Sequence, residues 1–150
     1  MIIQNPTSIQ EYLHEHIPLS KAMAVSVEMI NSERVVLMAP LAPNINHRET
    51  VFGGSASSLA ILAAWSLVHF RLQAEGFACR VVIQRSSMRF DKPILGDFKA
   101  ICSMPNNELW QKFIDILSRK NRSRINVVSH LECEGKRVGV LEGAFVAMNI

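Results

Sequence analysis

At 150 residues, 49% hydrophobic and 19% charged, the chain has the size and make-up of one globular domain spanning residues 1–150. A net charge of +3 makes it mildly basic. That is too little to argue nucleic acid, and aromatics are not interleaved with the basic residues, but it suits an anionic ligand or an acidic partner. The widely spaced Cys79, Cys102 and Cys133 form neither a disulfide framework nor a Cys-x-x-Cys site and read as buried, reduced thiols.

Residues 6 to 17 predict a short amphipathic helix. Asn5-Pro6 and Ser8 with Glu11 are its start signals, Ile9, Tyr12 and Leu13 share its apolar face, and Pro18 ends it. Residues 22 to 30 place Val25, Val27 and Met29 on one side of a strand and Ser26, Glu28 and Ile30 on the other. With residues 34 to 39 they form a hairpin about Asn31-Ser32-Glu33. Pro40 and Pro43 close the second strand and lead into a polar loop.

The stretch from Asn44 to Leu72 organises the rest. Its apolar run, Ala56 to Phe70, is interrupted only by Ser57, Ser58, Ser66 and His69, and a helix apolar on every side is a buried helix. Ending near Arg71, it reads as too short and too polar to span a bilayer. The glycine pair Gly53-Gly54 forms the loop at its start, and Gly76 stops it. Strands follow at 79–90 and 98–104, with a turn at Asp91-Lys92-Pro93 and Gly96-Asp97 between them. A helix over 107–118 carries Leu109, Phe113, Ile116 and Leu117 on one face. Strands at 123–133 and 137–148 complete the chain, the first turning Ser123, Ile125, Val127, Ser129, Leu131 and Cys133 to one side. The expected architecture is α+β: an antiparallel sheet curled round one long helix, with a free edge that favours self-association. The first residues, MIIQNPTSIQ, lack a basic segment followed by an apolar core, so a cytoplasmic location is expected.

Two runs carry a family resemblance. Asn46-His47-Arg48-Glu49-Thr50-Val51-Phe52-Gly53-Gly54-Ser55, before the central helix, resembles the hotdog-fold "putative thioesterase" family, found as the C-terminal domain of YiiD-type proteins and as stand-alone chains. Met88 to Asp97, with its Pro-x-x-Gly-Asp turn, is similar to the corresponding turn of hotdog thioesterases. The resemblance covers roughly residues 20 to 150. It implies a homodimer or dimer of dimers acting on acyl thioesters of coenzyme A or acyl carrier protein, with no cofactor. It further implies that some members decarboxylate malonyl-acyl carrier protein.

The residues support that chemistry unevenly. A helix start presents unpaired N–H groups and partial positive charge, so the Gly54 amide can hold a thioester oxygen; the alternative is that Gly53-Gly54 only provides a tight turn. Hydrolysis needs a base or nucleophile, yet where phenylacetyl-CoA-type hotdog thioesterases carry an acid on the central helix, this chain has Ile61. Glu75 lies about 30 Å along the helix from Gly54, and Asp91 and Asp97 read as turn residues. Decarboxylation of a malonyl thioester needs no base for its first step, only donors for an enolate oxygen, for which Asn46 and Gly54 are the candidates. His47 is either a proton donor or a solvent-facing loop residue. Thr50, Gly53, Ser55 and Ser58 shape the pocket, with capping as the alternative role for the two serines. Arg85, Arg89 and Lys92, or the cluster Arg119, Lys120, Arg122 and Arg124, meet the carrier's phosphates or acidic surface unless they form a plain solvated face. His69 reads as a core residue, and no His, Cys and carboxylate spacing suggests a metal. The expected function is malonyl-acyl carrier protein decarboxylation, with thioester hydrolysis and a non-catalytic acyl-carrier-binding module as alternatives.

Overall fold

The computed structural model describes residues 5–150. The chain begins with a helix α1, Pro6–His16, whose cap is Asn5: its side-chain oxygen accepts from the Thr7 and Ser8 amides at 2.9 and 3.3 Å. Ile9 and Leu13 bury its inner face. Pro18 does not simply end this helix. It is the first residue of a second, α2, Pro18–Ala22, because a proline at the first helical position gives up an N–H that has no partner there anyway. The residues from 22 that read as strand are therefore partly helical, and Ala24 makes the turn with a left-handed φ of 57°.

Six strands follow: β1 Ser26–Ile30, β2 Arg34–Ala39, β3 Cys79–Phe90, β4 Phe98–Ser103, β5 Arg122–Cys133 and β6 Lys136–Asn149. They form one antiparallel sheet in the order β1-β2-β4-β5-β6-β3. In β1 the pairing jumps from Val27↔Leu37 to Met29↔Val36, so Glu28 is an extra residue. That bulge reverses the expected alternation after Val27: Ile30 turns inward at 6% exposure while Met29 turns out at 39%. In β5 the alternation holds along the whole strand, with Ser123, Ile125, Val127, Ser129, Leu131 and Cys133 all buried.

The central helix α3 runs Gly53–Ala74 against β2 to β6. Twelve of its 22 residues are buried, on every side but one. Ala60, Ala63 and Ala64 let strands approach closely, and Leu59 and Leu67 fill the space between. Truncating either leucine to alanine costs about 2–5 kcal/mol. At 22 residues α3 is longer than the sequence reading allowed, and by length and composition it passes as a membrane span. The physical difference is burial: 67% of its most apolar window is packed inside the protein, as a core helix. A sheet curled round a single helix is the hotdog fold expected from the loop residues.

The last helix, α4, runs Asn107–Lys120 and closes the far end of α3. Its buried face is Trp110, Phe113 and Leu117, while Leu109, expected inside, is 50% exposed. Trp110 takes that place because its ring N–H donates to both oxygens of Glu75 at 3.0 and 3.1 Å and the Arg71 guanidinium lies 4.5 Å over its ring. Glu75, at the C-terminal cap of α3, also pairs with Arg71 at 2.9 Å, so this carboxylate is structural. Cys102 and Cys133 are buried free thiols and Cys79 is a half-buried one; burial pushes the Cys102 thiol up to about 12.

Candidate active site

The loop before α3 is held by its own side chains. Asn46 Oδ1 accepts from the backbone N–H of Arg48 at 2.8 Å and of Thr50 at 3.2 Å. Its Nδ2 donates to Thr50 Oγ1 at 2.8 Å and to the Val51 carbonyl at 3.4 Å. The backbones of Asn46 and Thr50 are joined at 2.8 Å, and Glu49 between them adopts a left-handed φ of 65°. An Ile45↔Val51 bridge and a 2.7 Å bond from the Phe52 N–H to the Asn44 carbonyl seal the loop base. Asn46 is thus first a loop staple. A ligand oxygen gains its amide only by displacing the 3.4 Å contact, which lies beyond ordinary hydrogen-bond length. Thr50 Oγ1 accepts from Asn46, which leaves the hydroxyl hydrogen free to donate elsewhere.

Gly53 and Gly54 are not a loop preceding the helix but its first two residues, with Phe52 as an N-cap that offers no side-chain bond. The ladder opens with the Ala56 N–H on the Phe52 carbonyl at 3.1 Å. The N–H groups of Gly53, Gly54 and Ser55 precede it and have no hydrogen bond among the described residues. They form the anion-attracting helix start. Neither glycine is at positive φ, a conformation confined here to Gly76 and Gly135 among the glycines, so no tight turn requires them. At Gly54 space does: a Cβ there would stand 2.4 Å from the Phe52 ring, which folds back over the helix start, whereas one on Gly53 would make ordinary contact with Phe90 at 3.6 Å. Both aromatics are more than half exposed, at 58% and 52%. The sequence reading missed them as site residues. The legible signal was a phenylalanine directly before two residues without side chains at a helix start.

Two hollows flank this start. One, of about 380 Å³, is walled by Thr50, Gly53, Phe90 and Lys92, so three of the expected pocket residues meet there. Asp91 also faces it, tied to Arg89 at 2.7 Å. The other, of about 250 Å³, lies between α2 and α3 and contains Ser58 and Ile61. His47 is exposed on the loop and has no hydrogen bond among the described residues. Ser55 is half-buried in the first turn and caps nothing. Arg85 sits apart, beside Ser87 and Glu142 in a third hollow on the sheet. Lys120, Arg122 and Arg124 share a fourth with Gln84. Asp97 accepts from the Leu41 N–H at 3.3 Å, a turn-holding role as expected.

His69 lies further along α3, 9% exposed, stacked on Trp65 with centroids 4.3 Å apart and near Tyr12 at 5.9 Å. Its Nε2 has no partner, and burial lowers its pKa to about 4, so it is a neutral core residue rather than a proton carrier. Among the described residues no group of His, Cys, Asp and Glu is arranged to hold a metal.

Known structures share this fold. A Chlorobaculum tepidum protein of unknown function, OLEI01261, is 29% identical over 98% of each chain, with a TM-score of 0.89. A Shewanella oneidensis protein described as a "putative thioesterase" is 24% identical over 95% of this chain and 96% of its own, with a TM-score of 0.85. Pseudomonas aeruginosa PA5026, described as a "probable thioesterase", is 19% identical over 99% of each, with a TM-score of 0.78. Residues 6–149 match the family described as "Putative thioesterase (yiiD_Cterm)", and the chain belongs to that family.

Proposed function

We propose that this protein decarboxylates a malonyl thioester carried by acyl carrier protein, giving the acetyl thioester. Family membership supports an acyl-thioester enzyme in general. The observation that carries the finer reading is a helix start with three free N–H groups and no ionisable residue on α3 before His69, Ile61 standing where a hydrolytic acid is expected. In the proposed step the thioester carbonyl lies against the Gly54 N–H, with the Asn46 amide as second donor. The bond between the α-carbon and the carboxylate breaks, its electron pair enters the carbonyl system as an enolate, and carbon dioxide leaves. A proton from solvent, or from His47 at the loop surface, then returns the α-carbon to a methyl group. Preorganised donors at a developing oxyanion are worth about 100- to 1000-fold each. Thr50 donates from the loop, and Lys92 at the rim attracts the carrier's phosphate.

Hydrolysis is the second reading, favoured by the family's description. It asks for a base, and the carboxylates on the loop and the adjoining hollow are Glu49, exposed, and Asp91, paired with Arg89. Incubation with malonyl-acyl carrier protein, malonyl-CoA and saturated acyl-CoAs, followed by mass analysis, separates the two. An intact acetyl thioester supports decarboxylation. Free thiol and free acid replace it with hydrolysis, and no product from any substrate leaves the binding module.

The same reading includes a homodimer in the cytoplasm. β3 is a 12-residue edge strand, paired among the described residues only with β6, that exposes Val82 at 42% and Ile83 at 37%. A long unpaired edge of this kind is a template for a second copy.

A further inference from the structure

Helix α4 carries apolar residues on two sides. Trp110, Phe113 and Leu117 are buried, whereas Leu109 and Ile116, two turns apart, do not join them: Leu109 is 50% exposed and Ile116 half-buried. Lys112 and Lys120 stand on the same line of the helix, so the stripe reads Leu-Lys-Ile-Lys at steps of three or four residues. Strand β5 lies alongside. β4 pairs only with Ser129–Glu132 of β5, and the first half of that strand has α4 beside it instead. There Arg122, Arg124 and Asn126 alternate with buried residues and stand on the outer face of the sheet.

Two hollows, of about 510 and 250 Å³, lie between this stripe and β5, and Ile116 and Arg124 line both. Together they form a trough containing Lys112, Lys120, Arg122 and Arg124 and no carboxylate. All four cations are exposed, and the ion pairs among the described residues lie elsewhere, at Arg71–Glu75, Arg89–Asp91 and Lys99–Glu28. Arg124 Nη1 makes one long bond, to Gln84 Oε1 at 3.4 Å. Lys120, in the last turn of α4, suits the helix dipole, but Lys112 is in mid-helix and both arginines are on β5, where that field gives them nothing. The trough is also remote from the start of α3. Arg124 aligns through Val146 with Val82, and Phe90 lies about 26 Å further along β3.

We infer that this trough docks an acidic amphipathic helix of a partner protein, its apolar side on Leu109 and Ile116 and its carboxylates toward the four cations. The inference does not depend on the thioester site. From Leu109 to Lys120 the stripe runs about 16 Å, about three turns of a facing helix. Single-stranded nucleic acid asks for exposed aromatics on which bases stack, and the aromatic here, Phe113, is 2% exposed. A single small anion asks for converging donors, whereas Lys112 and Lys120 are about 12 Å apart along the helix. Each exposed ion pair alters affinity by about fivefold at most. Selectivity therefore comes from the set of cations flanking an apolar line, a pattern that only a patterned partner matches.

The probes are two fluorescein-labelled peptides of about 14 residues, about four turns, stapled as helices. One has leucines on one side and glutamates on both flanks; the other has the same composition scrambled around the helix. A labelled oligothymidylate is the third probe. Anisotropy titrations with the full chain should show the patterned peptide binding at least tenfold more tightly than the scrambled one, and more weakly as salt rises. Lys120→Glu combined with Arg124→Glu should weaken it at least tenfold, and Leu109→Gln by about threefold or more. These side chains are exposed, so thermal melts should stay close to the parent. Arg85→Glu, in the neighbouring hollow on the sheet, should leave affinity within about twofold. Equal binding of the patterned and scrambled peptides overturns the inference and leaves a plain basic surface. Tighter binding of oligothymidylate replaces it with a nucleic-acid surface. Failure of the patterned peptide to bind at low salt, or binding that the charge reversals do not weaken, also overturns it.

Discussion

Gly54→Ala separates the two roles a glycine can have at the start of α3. Its backbone is ordinary helix, so alanine is conformationally favoured there by up to about 1 kcal/mol. Opposing this, the new Cβ meets Phe52 at 2.4 Å from Cε2 and 3.0 Å from Cδ2, whereas ordinary contact begins near 3.4 Å. The ring must move by about 1 Å or leave. With 58% of Phe52 already exposed, less than half of the about 1.5–3 kcal/mol for burying a whole phenylalanine is at stake. The two contributions nearly cancel, and the denaturant midpoint should stay within about 1 kcal/mol of the parent. Turnover on malonyl-acyl carrier protein should fall at least tenfold, because ring and methyl group now crowd the amide. Phe52→Ala combined with Gly54→Ala should recover most of it by removing the ring. Parent turnover in Gly54→Ala would falsify the assignment of this helix start as the reacting centre. A loss of stability above about 3 kcal/mol would show that the glycine is needed for packing, contrary to the argument from space.

Asn46→Ala should cost about 1–2 kcal/mol through the lost loop staple as well as turnover. Thr50→Val, nearly the same size, should lower turnover with a smaller stability change; if it leaves turnover untouched, Thr50 is only the partner of Asn46. His69 is held neutral in the fold, its pKa lowered to about 4 from 6.5 in the unfolded chain. The fold therefore keeps its full stability above about pH 6.5 and loses about 3 kcal/mol as pH falls through 4. His69→Phe should flatten that part of the pH–stability curve, and an unchanged curve would assign the acid sensitivity to other groups. With the Cys102 thiol pushed up to about 12 by burial and Cys79 half exposed, a thiol reagent at pH 8 should label Cys79 first; early labelling of Cys102 would contradict its burial. Val82→Lys on the free edge of β3 should shift the sedimenting species from dimer to monomer, and an unchanged mass would move the interface elsewhere.

Local patterns carried far. Residues 34–39 and 79–90 were legible as β-rich runs between turn residues, and alternation specified the strand at 123–133 to within a residue, because a period of two is written in the chain itself. The all-round apolarity of Ala56 to Phe70 specified a buried helix for the same reason. The loop word from Asn46 to Ser55 specified the hotdog fold. Other features depended on partners distant in sequence. Nothing local shows that Glu28 is an extra residue opposite β2, or that Trp110 rather than Leu109 turns inward to reach Glu75 some 35 positions earlier. Pro18 reads equally as the end of one helix or the start of the next, and packing chooses. The candidate site divides the same way. The N–H groups of Gly53, Gly54 and Ser55 and the Phe52 ring beside them are local and were legible, whereas Phe90 beside Gly53 and the hollow from Ile17 to Trp65 exist only once α2, α3 and β3 are folded together. Backbone donors are set by local conformation, but the shape of the space before them belongs to side chains brought in from elsewhere.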